Sequence, residues 1–195
     1  VGLKRIGLLG GAFDPPHLGH LILATEAYAA GNLDEVWFLP SYMPPHMSRK
    51  HATMVSDAGE RVKMLRLAIA DNPNFHLCTI EIDRKGKSYT YDTMVALHAA
   101  YPEAQFYFII GGDMVNDLPQ WYQFEALKKQ VTFLATTRAG VITQPIAGVA
   151  IEYFDMPMIE ISSTDIRRRC RSDEPWHYFL PQQVKAYIEE NRLYD

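Results

Sequence analysis

Short apolar runs alternate with longer segments of helical period along almost the whole chain, and that alternation constrains the fold more than any other feature. Ile6-Gly7-Leu8-Leu9 is an apolar run ending in Gly10-Gly11, and a helical pattern runs from Leu18 to about Ala30, stopping at Gly31-Asn32. Glu35 to Pro40 reads as a second strand. Asp57 to Ala70 carries Val62, Leu65 and Ile69 at helical spacing and ends at Asn72-Pro73. Phe75 to Ile82 alternates as a strand would, and Thr90 to Ala100 is again helical. The clearest strand is Phe106-Tyr107-Phe108-Ile109-Ile110, closed by Gly111-Gly112-Asp113. A helix around Phe124 to Lys129 feeds a strand over Val131 to Ala135. Ala150 to Phe154 and Ile159 to Ile161 supply the last extended segments, and Ser163 to Cys170 and Pro181 to Asn191 close the chain as helices. Repeated βα units predict an α/β fold, a Rossmann-like doubly wound parallel sheet with flanking helices. Ligands of such sheets bind beyond the carboxyl ends of the strands, so the turns after the strands are the place to look.

Composition sets outer limits. A chain of 195 residues suits one domain, expected over 1–195 with a small helical part over about 162–195. Nineteen basic against 23 acidic side chains leave a net charge of -4, a poor match to the broad basic face that grips long nucleic acid. No apolar stretch approaches the ~20 residues of a membrane helix, and Val1-Gly2-Leu3-Lys4-Arg5 leads into a strand rather than a signal peptide. Cys78 and Cys170 form no Cys-x-x-Cys pair, which disfavours a disulfide framework or a cysteine zinc site. These limits describe a cytoplasmic domain, enzyme or small-ligand binder, with neither nucleic acid nor membrane as partner.

The first turn reads Gly10-Gly11-Ala12-Phe13-Asp14-Pro15-Pro16-His17-Leu18-Gly19-His20. It has neither the Gly-Lys-Ser/Thr ending of a P-loop nor the spacing of a dinucleotide glycine fingerprint. Paired glycines still let a backbone approach a ligand and present its N–H groups. The Pro-Pro pair delays the helix, and Pro16 can take a first helical position. His17 and His20, three apart, share one face at the positive end of that helix, where anions are favoured. There the field disfavours protonation, yet each ring can donate a hydrogen bond to a phosphate oxygen. Spacing alone leaves three roles open: phosphate chemistry, a metal half-site completed by Asp14, or two rings satisfied by packing. The position after the first strand favours phosphate.

Ser162-Ser163-Thr164-Asp165-Ile166-Arg167 supplies a second such end. Its hydroxyl residues start helices and turn amides toward an approaching anion, and Arg167 can fork onto phosphate oxygens one turn later. Alone it would read as a plain capped helix with a solvated basic face; together with the histidine turn it reads as the other half of a phosphate site. The run Arg167, Arg168, Arg169 and Arg171 is then expected to form one positive pocket in a negative protein.

His-x-Gly-His after Gly-Gly-x-Phe-Asp-Pro, with Ile-Ser-Ser-Thr-x-Ile-Arg near the end, resembles the HxGH nucleotidyltransferases. Pro44-Pro45-His46, Ser88-Tyr89-Thr90, Phe108 to Asp113, Trp121-Tyr122 and Asn191 to Tyr194 extend the resemblance, most closely to bacterial nicotinate-nucleotide adenylyltransferases, over Lys4 to Tyr194. The resemblance implies the nucleotidyltransferase fold and transfer of AMP from ATP to nicotinate mononucleotide, giving deamido-NAD and pyrophosphate in NAD biosynthesis. Mg²⁺ would travel on the ATP phosphates, with no dedicated protein metal site, and a homodimer is compatible with it. By the same resemblance Gly10, Gly11, Ala12 and Phe13 lie along ATP. His17, His20 and Arg167 are catalytic, and Ser162 and Ser163 join Arg167 on the leaving pyrophosphate. His46, Thr90, Asp113, Trp121 and Tyr122 bind nicotinate mononucleotide: Trp121 stacks on the ring and the amides of Thr90 and Tyr122 receive its carboxylate.

Two positions depart from that pattern. Ala12 stands where many members carry threonine, and Met47 where a basic residue is common, which moves any phosphate contact of the Ser41 to Ser56 stretch to His46 or Arg49. Related enzymes acting on nicotinamide mononucleotide or phosphopantetheine remain the alternative within the superfamily. A metal hydrolase built on Asp14, His17 and His20 is the alternative outside it. A class I aminoacyl-tRNA synthetase is excluded by length and by the missing Lys-Met-Ser-Lys-Ser loop.

Overall fold

In the computed structural model, which describes residues 2–45, 54–137 and 144–195, the apolar runs form one parallel sheet. Among the described residues its strands are β1 (Lys4–Gly11), β2 (Glu35–Pro40), β3 (Phe75–Leu77), β4 (Ala104–Ile110), β5 (Thr132–Thr136) and β6 (Ile151–Phe154). They lie in the order β3-β2-β1-β4-β5-β6. The direction of winding therefore reverses between β1 and β4, and a crevice opens above their carboxyl ends, beside Gly11 and Gly111.

Strand side chains alternate between two buried faces, as a sheet covered on both sides requires. Leu9, Val36, Phe38, Tyr107, Ile109 and Leu134 point into one core with α1 (Leu18–Ala30), α2 (Ala58–Ile69), α6 (Ser163–Arg171) and α7 (Gln182–Glu190). Ile6, Leu8, Trp37, Phe106, Phe108 and Phe133 point into the other, under α4 (Thr90–Ala100) and α5 (Phe124–Leu127). Val184, Ile188 and Tyr194 belong to the first core, so the C-terminal helices pack on the same face of the sheet as α1. Among the described residues no helix is long and apolar enough to cross a membrane.

Three local expectations change. The strand foreseen over Phe75 to Ile82 stops at Leu77, and Ile80–Arg84 is a short helix, α3. Its Glu81 is buried and ringed by hydroxyls, a polar inward position that strand-like alternation cannot distinguish from an outward one. Ile159 to Ile161 is not a strand; it is irregular chain that lines a cavity. Pro16 does not open α1, because His17 is the N-cap and Leu18 the first helical residue. Gly112–Gln120, left without an assignment after the strongest strand, is a 3₁₀-helix carrying Trp121 at its end. His46, Met47 and Arg49 lie outside the described residues.

Candidate active site

The first turn places the two histidines differently. His17 caps α1 in extended conformation, and its backbone N–H donates to Nδ1 of His20 at 3.1 Å. The rings stack with centroids 3.7 Å apart at 25°. That bond assigns the tautomer: Nδ1 of His20 is the acceptor, so the neutral ring carries its proton on Nε2. Burial holds His17 down to about 4, and burial followed by the proximity of His17 holds His20 well below its ordinary value. Both rings are therefore neutral at pH 7. Gly19 leaves room for the His17 ring, since a Cβ there would lie 3.0 Å from its Cε1 and Nδ1. Nδ1 of His17 is buried with no partner.

His20 opens into a recess of about 170 Å³ lined also by Ala12, Phe13, Asp14, Met54, Ser163, Thr164 and Arg167. Arg167 is 7% exposed; its Nη1 donates to the carbonyl of Asp14 at 2.7 Å and its Nη2 to Thr164 Oγ1 at 3.4 Å, which leaves the remaining N–H groups for another acceptor. Ser162 caps α6 by accepting from the amide of Asp165, and Ser163 Oγ donates to the carbonyl of Pro15 at 2.8 Å. The Ser163 hydroxyl ties the two helix starts together, while the first-turn amides of α6 have no partner within the helix. The basic run does not form a pocket. Arg168 and Arg169 pair with Asp165 and with Glu174, and Arg171 reaches the carbonyl of Tyr194. Arg167 is the member that turns inward, because a helix presents adjacent residues to different faces.

Asp14, a metal-ligand candidate by spacing, is committed elsewhere. One oxygen accepts from Tyr194 Oη at 2.5 Å; the other accepts from the amides of Val55 at 2.7 Å and Ser56 at 3.2 Å. Beside it Arg61, 1% exposed on α2, donates through Nη1 to the carbonyls of Ala12 and Ser41, 2.8 Å each. Arg61 clamps the chain leaving β1 to the chain leaving β2. The apolar stripe of Val62, Leu65 and Ile69 marks α2 but does not single out Arg61. Among the described residues no group of three or more His, Cys, Asp or Glu could hold a metal ion.

On the far side of Ala12 lies a cavity of about 470 Å³, which brings Thr90, Trp121 and Tyr122 together with Gly10, Gly11 and Ala12. Trp121 is held edge-on by Phe108 (5.9 Å, 88°) and Phe133 (6.2 Å, 82°), leaving a face for a ligand ring. Tyr122 stacks on Tyr89 at 4.4 Å. Thr90 is the first residue of α4, so its amide is one of the unpaired helix-start donors. Glu81 lines the same wall and was not foreseen. Burial raises its carboxyl, while the hydroxyls of Thr93 and Ser88, the charge of Arg84 and the hydroxyl of Ser41 oppose the rise.

Asp113 lines a different cavity, about 680 Å³, with Gly19, Gly111, Thr136, Thr137, Asp155 to Ser162. Of these, residues 136, 137 and 155–158 carry no functional signal in the sequence. They are the end of β5 and the chain following β5 and β6, recognisable as a site only once the sheet order is known. The three hollows adjoin: Ala12 is shared between the aromatic cavity and the small recess, and Gly19-His20 and Ser162-Ser163 pass from the small recess to the third. An aromatic pocket, a phosphate-sized recess of hydrogen-bond donors and a second large pocket in succession match the parts of a dinucleotide.

Comparison with known proteins supplies the family and the fold. The cytidylyltransferase-like family model matches residues 8–169. A protein of Bacillus cytotoxicus described as "Probable nicotinate-nucleotide adenylyltransferase" is 47% identical over 99% of this chain and 100% of its own. A Bacillus mycoides protein of the same description is 46% identical over the same shares. Among solved structures, Plasmodium falciparum nicotinic acid mononucleotide adenylyltransferase complexed with NaAD superposes with a TM-score of 0.78. The match covers 98% of each chain at 20% identity, a likeness of fold.

Proposed function

The chain belongs to the cytidylyltransferase-like family and, within it, to the nicotinate-nucleotide adenylyltransferases, and from that premise we propose how its residues divide the reaction. The reaction is transfer of AMP from ATP to nicotinate mononucleotide, yielding deamido-NAD and pyrophosphate. A cytoplasmic enzyme of NAD biosynthesis built as one domain over 1–195 accounts for the sequence. ATP takes the third cavity with its base and ribose, beside Asp113, and lays its phosphates across the small recess. Nicotinate mononucleotide takes the aromatic cavity, with Trp121 under the ring and the amides of Thr90 and Tyr122 on its carboxylate. An amide in place of that carboxylate would turn an NH₂ donor toward donors, which disfavours the nicotinamide substrate.

The attacking atom is a phosphate oxygen of the mononucleotide, ionised near neutral pH, so the protein needs no general base. Its contribution is alignment and stabilisation of charge at the α-phosphate. The observation that carries this reading is the bond from His17 N–H to His20 Nδ1, which leaves Nε2–H as a fixed donor beside Arg167. Arg167 and the α6 amides beyond Ser162 and Ser163 hold the departing pyrophosphate. His17 contributes by holding His20: its backbone N–H fixes the tautomer and its ring stacks on the His20 ring. Nucleotidyltransferases use a divalent cation with ATP, and here Mg²⁺ would neutralise phosphate charge while held by the phosphates. The recess fits that role, since its carboxylate, Asp14, is already occupied.

The test is pyrophosphate release from MgATP with nicotinate mononucleotide, nicotinamide mononucleotide and phosphopantetheine in parallel. Turnover is expected with the first far above the other two. None with the first overturns the assignment.

A further inference from the structure

Glu81 has no part in the reaction as described, yet it sits in the wall of the aromatic cavity. Among the described residues lining that cavity it is the one carboxyl, and no Lys, Arg or His accompanies it. It is 5% exposed, and Thr93 Oγ1 donates to its Oε1 at 2.8 Å. Ser88 Oγ already accepts from the amide of Tyr42 at 2.9 Å, so its own proton is free to point at Glu81. Burial raises the Glu81 carboxyl above its ordinary value, and the hydroxyl donors with the charge of Arg84 oppose that rise in favour of the ionised form. Arg84 answers part of that charge from behind, through the Thr93 hydroxyl the two share, but it does not line the cavity, so on the cavity side a positive group on the ligand is the complement.

We propose that Glu81 recognises the positive charge of an N-ribosyl pyridinium ring and so selects the oxidised, cationic pyridine nucleotides over neutral aromatic analogues. This inference rests on the proposed function, which places a pyridine nucleotide in the aromatic cavity. Nicotinate mononucleotide is a zwitterion at its ring, a carboxylate on one carbon and a formal positive charge on the ring nitrogen. Amide donors at Thr90 and Tyr122 answer only the negative part. The Trp121 ring attracts a cation through its quadrupole, and Glu81 adds the one carboxyl among the described residues lining that cavity. The cavity thereby recognises both charges, where amides alone would accept any aromatic acid of the right shape.

The test compares nicotinate mononucleotide with the C-riboside phosphate of benzoic acid, flat and of equal shape but without the ring charge. Dissociation constants are measured by titration calorimetry on the full chain. The native protein is expected to prefer the pyridinium ligand by roughly 10-fold or more, the scale of one desolvated charge contact. Glu81→Gln keeps the volume and an acceptor for Thr93 and should bring the two ligands within about 3-fold of each other. Glu81→Asp keeps the charge and should retain most of the preference, and it carries the comparison should the glutamine variant fail to fold. Equal binding by the native protein, or an undiminished preference in Glu81→Gln, overturns the inference. If the native protein releases pyrophosphate with nicotinate mononucleotide while either result is found, the proposed reaction stands and Glu81 alone is misassigned. If it releases none, the reaction falls first and this inference with it.

Discussion

Tyr194 donates its hydroxyl to a carboxylate oxygen of Asp14 at 2.5 Å, a buried contact between residues 180 positions apart. The same carboxylate holds the amides of Val55 and Ser56, and the carbonyl of Asp14 accepts from Arg167. The first turn is thus fastened at once to the end of the chain, to the segment before α2 and to the phosphate-facing arginine. Tyr194→Phe keeps the packing and removes the donor. It should cost about 1.5–3 kcal/mol in urea unfolding, the range for a hydrogen bond to a charged group. An unchanged midpoint would show that water replaces the hydroxyl.

The depressed histidines make stability depend on pH. His17 titrates near 4 in the fold and near 6.5 unfolded, so between those values the unfolded chain holds the proton and the native one does not. Stability is complete above about pH 6.5 and declines as pH falls toward 4, by on the order of 3 kcal/mol for this group. His20 is shifted the same way and adds to the slope. Denaturant midpoints at pH 7.5 and pH 5 should differ in that direction. His17→Asn should flatten the difference.

His20→Ala removes the Nε2–H donor facing the recess and should lower kcat by roughly 10²–10³, with little change in KM for the pyridine substrate. Trp121→Ala should do the reverse. Loss of one stacking face weakens a base by about 1–3 kcal/mol, so KM for nicotinate mononucleotide should rise roughly 10- to 100-fold at nearly constant kcat. Steady-state kinetics with each substrate varied in turn separates the two outcomes. Identical effects on kcat and KM from both variants would mean that the two cavities do not hold separate halves of the reaction.

The chain's own pattern carries the sheet, because β1, β2, β4 and β5 are buried on both faces and read as continuous apolar runs. It also carries the histidine turn and the Trp121-Tyr122 pair, whose meaning is local. What it could not carry depends on distant partners. Arg61 looks like any helix arginine until β1 and β2 bring the carbonyls of Ala12 and Ser41 to it. Glu81 resembles the solvent side of a strand until α3 folds it inward. The arginine run looks like a cluster until Asp165 and Glu174 neutralise its outer members.

Gly19→Ala sets two effects against each other. Alanine in a helix is favoured over glycine by roughly 0.5–1 kcal/mol. Here, however, the new Cβ would fall 3.0 Å from two atoms of the His17 ring, closer than such contacts normally come. The ring is the movable partner, since α1 is anchored through Leu18 N–H to the carbonyl of Phe179 at 2.9 Å. His17 must therefore swing away, and its stack on His20 opens. The backbone bond to His20 Nδ1 does not pass through the His17 ring and should survive. The expected variant is as stable as the native chain or slightly more so, yet slower by roughly 10-fold, since a transition-state donor is displaced rather than deleted. Parallel thermal melts and pyrophosphate-release rates read both effects. A stable variant at full rate would show that the His17–His20 stack is not needed for turnover.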